Sequence, residues 1–277
     1  MTLNQSRFIK KILGAMVIVC ALLWVVVPFA WIALMSLKPE QDILISPVQW
    51  LPVHPTLEHY SYLLGSTHAL KYIKNSFIIA SINTLLTLIL ATPAAYGIAR
   101  FRIGGSNLSF YILSQRMTPP VTIIIPLFMV MNALRLIDTH IGLVIAHLTF
   151  NIPFAVWLLI GFFREFPIEL EECSFIDGAS RLQAIWYIIL PIIAPGIVVT
   201  AIFCFISSWN EFLMAFILTR EAAKTVTVQL IGFQSIFQPL WGELAALLMI
   251  SIIPILILVF SVQRYMVRGL TAGAIKG

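Results

Sequence analysis

Residues 141–163 read IGLVIAHLTFNIPFAVWLLIGFF, and residues 164–191 continue as REFPIELEECSFIDGASRLQAIWYIILP. The first stretch contains no Asp, Glu, Lys or Arg and exceeds the ~20 residues that a helix needs to cross a hydrocarbon core about 30 Å thick. The second reverses that chemistry: Glu165, Glu169, Glu171, Glu172 and Asp177 lie in it, out of only twelve acidic residues in the chain. An uncharged run that empties abruptly into an acidic segment is the pattern of a membrane span entering water. It is too polar to be a further span and too long for a tight turn.

Outward from this stretch the pattern repeats. Apolar runs, uncharged but for one arginine, occupy approximately 13–35, 77–99, 110–134, 185–210 and 244–263, so with 141–163 the chain is expected to be an all-α integral membrane protein with about six transmembrane helices in a single domain, 1–277. The run at 110–134 includes Arg116 near its start, and the apolar 225–237 stretch, rich in Thr and Gln, is left outside the bilayer. The first run follows Arg7, Lys10 and Lys11 and is longer than a signal-peptide core, without a small-x-small cleavage site, which fits a retained signal anchor. The composition agrees: 60% of the 277 residues are hydrophobic and 10% charged, against roughly 45–50% and about 25% for soluble domains.

Lys and Arg collect on the cytoplasmic side of short loops because moving them across the bilayer is costly. Placing the amino terminus inside puts Arg7, Lys10, Lys11, Arg100, Arg102, Arg164, Arg181, Arg264, Arg268 and Lys276 in the cytoplasm, and Lys38, Lys71, Lys74, Arg135, Arg220 and Lys224 outside. Both termini and the 164–190 segment are then expected to be cytoplasmic. The net charge of +5 is scattered between spans rather than clustered with aromatics, which argues for lipid orientation and against nucleic acid. Cys20, Cys173 and Cys204 lie far apart and form neither a disulfide framework nor a metal-binding spacing. Prolines at 93, 119, 120, 126, 153, 191, 195 and 254 fall in or beside spans, where each removes a backbone donor and favours a bend.

Within 164–190, Pro167 can open a helix, the acids crowd its first turns where the macrodipole favours them, and Gly178 supplies a stop before a second helical stretch. The expected shape is a short helix, a sharp turn and a second helix. Such a pair is either a solvated connector or a docking element. Its spacing bears on the choice. Glu172, Gly178, Ile188, Leu190 and Pro191 fit Glu-Ala-Ala, three residues, Gly, nine residues, Ile-x-Leu-Pro. This resembles the cytoplasmic loop of permease subunits of binding-protein-dependent ATP-binding cassette importers, specifically the carbohydrate, maltose-type branch. Cys173 and Ser174 stand where that pattern has two alanines. The likeness extends to Arg116-Met-Thr-Pro-Pro, to Ser208-Trp-Asn-Glu-Phe and to the tail from Arg264 to Gly277.

The resemblance implies a type I importer permease fold with a coupling helix, in which Glu171, Glu172, Cys173, Ser174, Asp177, Gly178, Ala179, Ile188, Leu190 and Pro191 dock to an ATPase and couple it to the fifth span. It implies as partners a second permease, two ATP-binding cassette ATPase subunits and an external solute-binding protein in a bacterial inner membrane, with a sugar, sugar phosphate or polyol as solute. No G-x-x-x-x-G-K loop is present, so ATP and Mg are expected in a partner chain, with no cofactor, metal or catalytic residue in this one. Trp209, Asn210, Glu211 and Arg116 are candidates for the solute pathway or a gate; an interfacial aromatic followed by a helix-ending polar pair is the plainer reading of the first three. Asn83, Asn132, His147 and Asn151 suit interhelical hydrogen bonds. The tail from Gly269 to Gly277 is read either as disordered or as touching the ATPase. The rival classes are an ion-coupled secondary transporter, which would need buried carboxylates as ion sites, and an intramembrane enzyme, for which no nucleophile–base pair can be assembled.

Overall fold

The computed structural model describes residues 3–234 and 239–272, whose regular structure is helical, with no strand among them. In chain order the helices are α1 Leu3–Met35, α2 Glu40–Ile43, α3 Glu58–Gly65, α4 Ala69–Phe101, α5 Gly105–Gln115, α6 Pro120–Ala133, α7 His140–Glu165, α8 Ile168–Ile176, α9 Arg181–Ala184, a π-helical turn Ile185–Ile189, α10 Leu190–Trp209, α11 Leu213–Leu218, α12 Val226–Gly232 and α13 Trp241–Ala272. Five of them are long and apolar enough to cross a membrane, and six spans result if one bent pair is taken as a single crossing. That pair is the run expected as one span over 110–134: α5 and α6 meet at 80°. Pro119 caps α6 and Pro120 opens it, so the chain cannot carry the α5 ladder through Arg116–Pro119.

The chain divides into two compact units, Met1–Leu70 with Leu230–Ile252 and Lys71–Gln229 with Ile253–Gly277. In the first, the apolar part of α1 is uncovered along its length, with Trp24 85% exposed. A helix apolar on every side and covered by no protein has the surface that lipid requires. The polar chain after it folds locally. The Lys38 ammonium donates to the Gln49 carbonyl and lies 4.9 Å from the Trp31 ring centroid.

In the second unit α7 packs against α5 and α10, and α11 against α6 and α7. One buried layer joins Ala91, Ala95 and Tyr96 of α4 to Ala155, Leu159 and Phe163 of α7 and Ile193 of α10. Another joins Ile79 of α4 to Met131 of α6, Val144 of α7 and Met214 of α11. Small residues let these helices approach, because lipid offers no hydrophobic drive for them to associate. The expected polar pins are present at Asn83 and Asn151. Asn83 donates to the Val144 carbonyl at 3.0 Å, and Asn151 donates to Asn83 Oδ1 at 2.6 Å and to the Cys204 carbonyl at 3.1 Å. His147 Nδ1 is hydrogen-bonded to the Ser208 hydroxyl at 2.6 Å, which ties α7 to α10.

The run expected over 77–99 lies inside α4, which begins earlier at Ala69. The added turn is polar, and loop 221–224 satisfies it. Lys71 donates to the Glu221 carbonyl at 2.7 Å, and Asn75 donates to the Ala222 and Lys224 carbonyls at 2.9 Å.

Candidate functional site

The segment 164–190 folds as helix, turn and helix. Pro167 is the N-cap of α8, and Glu169 and Glu171 lie in its first turn, where a negative charge meets the positive helix end. At the other end Gly178 adopts φ 85°. Its amide donates to the Phe175 carbonyl at 3.1 Å and the Ala179 amide donates to the Ser174 carbonyl at 3.0 Å, the paired bonds of a Schellman motif. A Cβ at Gly178 would meet nothing within 4 Å. Positive φ, not close backbone approach, is therefore what requires glycine here.

The second helix starts with a capping box: Gln183 N–H donates to Ser180 Oγ at 3.4 Å, and Ser180 N–H to Gln183 Oε1 at 2.8 Å. Ser180 and Gln183, three apart, signal this box in the sequence alone, and it was not among the expected features. The π-helical turn Ile185–Ile189 follows, with Leu190 between it and Pro191. Proline has no N–H for the Tyr187 carbonyl and its ring crowds that oxygen, and a widened turn accommodates both. Ile188 and Leu190 are half-buried against the α4–α7–α10 layer, Ala179 is half-buried, and Pro191 is exposed.

The structure separates residues that the sequence grouped. Glu172, Cys173, Asp177 and Gly178 are exposed, whereas Glu171 and Ser174 are 6% and 4% exposed and face inward. Glu171 accepts a hydrogen bond from the Tyr96 hydroxyl, and its Oε2 lies 2.8 Å from Arg100 Nε. Ser174 donates to the Glu171 carbonyl at 2.6 Å. Tyr96 and Arg100 stand four residues apart on one face of α4, a spacing that could have flagged them. The outward side of the segment is apolar as well as charged: Ile176 is 85% exposed, Tyr187 78% and Leu182 69%.

The four pathway candidates part company similarly. Trp209 is 3% exposed and stacked on Phe205 with centroids 5.8 Å apart, so its ring is not open to a solute. Asn210 is exposed at the end of α10. The Glu211 carboxylate caps α11 by accepting from Met214 N–H at 2.8 Å and Ala215 N–H at 3.0 Å, and it lies 3.3 Å from His147 Nε2. Arg116 sits with its guanidinium carbon 4.2 Å from the Phe154 ring centroid. A cavity of about 260 Å³ brings Arg116 and Glu211 together with Gln115, Thr118, Thr149 and Ser207. Two interrupted helices, α5/α6 and α10/α11, thus open their breaks on one polar cavity.

Among the described residues Glu40, His59 and Glu243 bring ligand-type atoms together. Each has a structural duty. Glu40 accepts from the Trp241 and Gly242 amides at 3.1 Å, capping α13. His59 Nε2 is hydrogen-bonded to the Lys38 carbonyl at 2.8 Å, and its Nδ1 lies 3.3 Å from Glu243 Oε1. A Cβ at Gly242 would collide with the His59 ring. Of the tail from Gly269 to Gly277, residues 273–277 lie outside the described residues.

Comparison with known proteins gives consistent likenesses. Residues 83–272 match the family described as binding-protein-dependent transport system inner membrane component. The chain is 35% identical to the trehalose/maltose transport system permease protein MalG of Thermococcus litoralis, over 99% of both chains. It is 36% identical to the trehalose transport system permease protein SugB of Mycobacterium tuberculosis, over 92% of this chain and 93% of that one. It is 33% identical to the sulfoquinovosyl glycerol transport system permease protein SmoH of Agrobacterium fabrum, over 90% and 88%. In fold it resembles a chain from the crystal structure of a bacterial ABC transporter involved in the import of the acidic polysaccharide alginate, with a TM-score of 0.78 and 24% identity over 96% of this chain and 99% of that one.

Proposed function

The chain belongs to the binding-protein-dependent transport system inner membrane component family, and from that premise we propose that it carries one half of the pathway for a sugar, sugar phosphate or polyol and takes its drive from an ATPase docked on 164–190. It is a non-catalytic, multi-pass membrane permease subunit of an ATP-driven importer. The finer assignments are its partners, a second permease, two ATPase subunits with their ATP and Mg, and an external solute-binding protein, and its orientation, with both termini in the cytoplasm of a bacterial cell.

The observation that carries the docking role is the outward side of α8. Glu172, Cys173, Phe175 and Ile176 are exposed on a short helix whose inner side is fastened to α4 and whose end is closed by the Gly178 turn. A rigid helix with an uncovered apolar and acidic edge suits a groove on another protein, and it transmits rigid-body motion better than a flexible loop. Support for a pathway at the 116–119 and 210–212 breaks is geometric. Interrupted membrane helices present unpaired backbone and polar side chains to a cavity, which is how transporters build solute contacts away from lipid. Arg116, Glu211 and their hydroxyl and amide neighbours offer both donors and acceptors there.

Cys173 provides the experiment, because it is exposed while Cys204 is buried. A membrane-impermeant maleimide, applied to inside-out vesicles of a Cys20→Ser variant, is expected to label Cys173 when the chain is alone and to leave it unlabelled when the ATPase is co-expressed. Labelling undiminished by the ATPase would rule out docking on this face. Labelling only in right-side-out vesicles would invert the orientation.

A further inference from the structure

We infer that Tyr96, Arg100 and Glu171 form a latch that fastens the docking helix α8 to the membrane helix α4, so that displacement of α8 reaches α4 as one rigid movement. The inference rests on the docking role proposed for 164–190. It adds residues outside that segment and gives Glu171 a duty opposite to that of its neighbour Glu172.

The geometry is a three-point attachment. Glu171 takes the Tyr96 hydroxyl on one carboxylate oxygen and faces Arg100 Nε at 2.8 Å with the other. Arg100 then reaches past α8: its Nη2 donates to the Phe166 carbonyl at 3.1 Å, and its guanidinium carbon lies 5.1 Å from the Phe166 ring centroid. Phe166 is the C-cap of α7, directly before Pro167 and α8. One side chain from the last turn of α4 therefore grips both the entry to α8 and its first turn. Two contacts on different atoms of the same carboxylate, with a third on the preceding backbone, fix α8 against sliding and against rotation about its own axis.

Burial makes the choice of residues informative. Tyr96 is 7% exposed, Glu171 6%, and the Arg100 side chain 9%. Withdrawing a carboxylate and a guanidinium from water is costly, and apolar residues of similar volume commonly stabilise such a site as well or better. The hydrogen bonds from the Tyr96 hydroxyl to Glu171 and from Arg100 Nη2 to the Phe166 carbonyl supply the direction that an apolar contact lacks, and the Arg100–Glu171 ion pair adds attraction between the same elements. A lever needs that property at its fulcrum. The apolar layer beneath, Phe163 with Tyr96 at 5.6 Å between ring centroids, seats the latch on α7.

The test uses the importer complex, with this chain co-expressed with its partner permease and ATPase subunits. Cys20 and Cys173 are replaced by Ser, and nitroxides are attached at Glu169→Cys, an exposed site in the first turn of α8, and at Leu90→Cys, an exposed site on α4. Spin–spin distances are read without nucleotide and in the ATP–vanadate-trapped state. With the latch intact, the distance distribution is expected to be narrow and identical in both states. In Tyr96→Phe and Glu171→Gln it is expected to broaden and to shift on trapping. A distribution in the variants as narrow and as constant as in the parent overturns the latch, and so does a parent distribution that itself shifts on trapping. ATPase co-purifying with the parent in either case keeps the docking role standing; its absence from the parent removes the docking role instead. If Glu171→Gln prevents assembly, Tyr96→Phe alone decides, because it removes one hydroxyl and keeps the ring.

Discussion

The Ala179 amide donates to the Ser174 carbonyl at 3.0 Å across Gly178, and this bond closes α8 only because Gly178 holds φ at 85°. An L-residue in that left-handed conformation costs about 1–2 kcal/mol, Asn somewhat less. Space is not the issue, since nothing lies within 4 Å of a Cβ there. Gly178→Ala, Gly178→Asn and Gly178→Val are therefore expected to rank by backbone tolerance and not by volume: Asn retains most of the ATPase co-purification, Ala less and Val least. Equal retention by Ala and Asn with loss only in larger residues would assign the glycine to steric docking instead.

Gly196 of α10 faces Phe162 of α7, and a Cβ at Gly196 would collide with the ring. Inserting a methyl into a filled contact costs roughly 1–3 kcal/mol. Gly196→Ala is expected to lower the thermal midpoint of the detergent-purified protein, and Phe162→Leu in the same chain to recover part of the loss. Gly161→Ala is the control. Nothing lies within 4 Å of its Cβ, so its midpoint is expected to stay or rise.

Asn151, Asn83 and the Cys204 carbonyl form a buried chain across α7, α4 and α10. Asn151→Leu strands the Asn83 Oδ1 and Cys204 acceptors, with a cost of about 1 kcal/mol expected in a membrane interior. Asn83→Leu removes the donor to Val144 as well. Because the two side chains share a bond, the double replacement is expected to cost less than the sum of the single ones. Strict additivity of the thermal shifts would show that the pair is not coupled.

The spans were legible because lipid imposes one rule over each of them, exclusion of charge, and residues 141–163 obey it without exception. The turn in 164–190 was legible because Pro167 and Gly178 have few other uses in such a sequence. What stayed hidden depends on distant partners. Glu171 and Glu172 are the same chemistry side by side, and only Tyr96 and Arg100, on a helix far away in the chain, decide that the first turns inward. Trp209 reads more plainly as an interfacial ring than as part of a solute pathway, but nothing near it in sequence announces the Phe205 ring that stacks on it. The α5/α6 corner was veiled for another reason. A run apolar on every side has no periodicity to interrupt, and membrane spans tolerate proline, so Pro119 and Pro120 marked a bend without giving its angle.

Asp138, between α6 and α7, fastens the loop after α11. Its carboxylate accepts from the amides of Arg220 at 2.8 Å, Ala222 at 3.0 Å and Ala223 at 3.0 Å, and its own amide donates to the Leu218 carbonyl at 2.8 Å. Partial burial pushes its acidity toward a higher pKa, but the backbone donors of Ala223, Ala222, Arg220 and Glu221 outweigh it and hold the carboxyl below the ordinary value. The sign follows: the folded state binds a proton less readily than the unfolded one, so the contribution is complete above the usual aspartate range near 3.9 and disappears as pH falls through the lowered folded value. Hydrogen exchange of amides 220–223, corrected for intrinsic rates, is expected to stay protected down to about pH 4 and to lose protection below it. Asp138→Asn keeps one acceptor oxygen and loses the charge, so its protection is expected to be weaker at neutral pH and flat across the acidic range. An acid-induced loss that persists in Asp138→Asn would place the titrating group elsewhere.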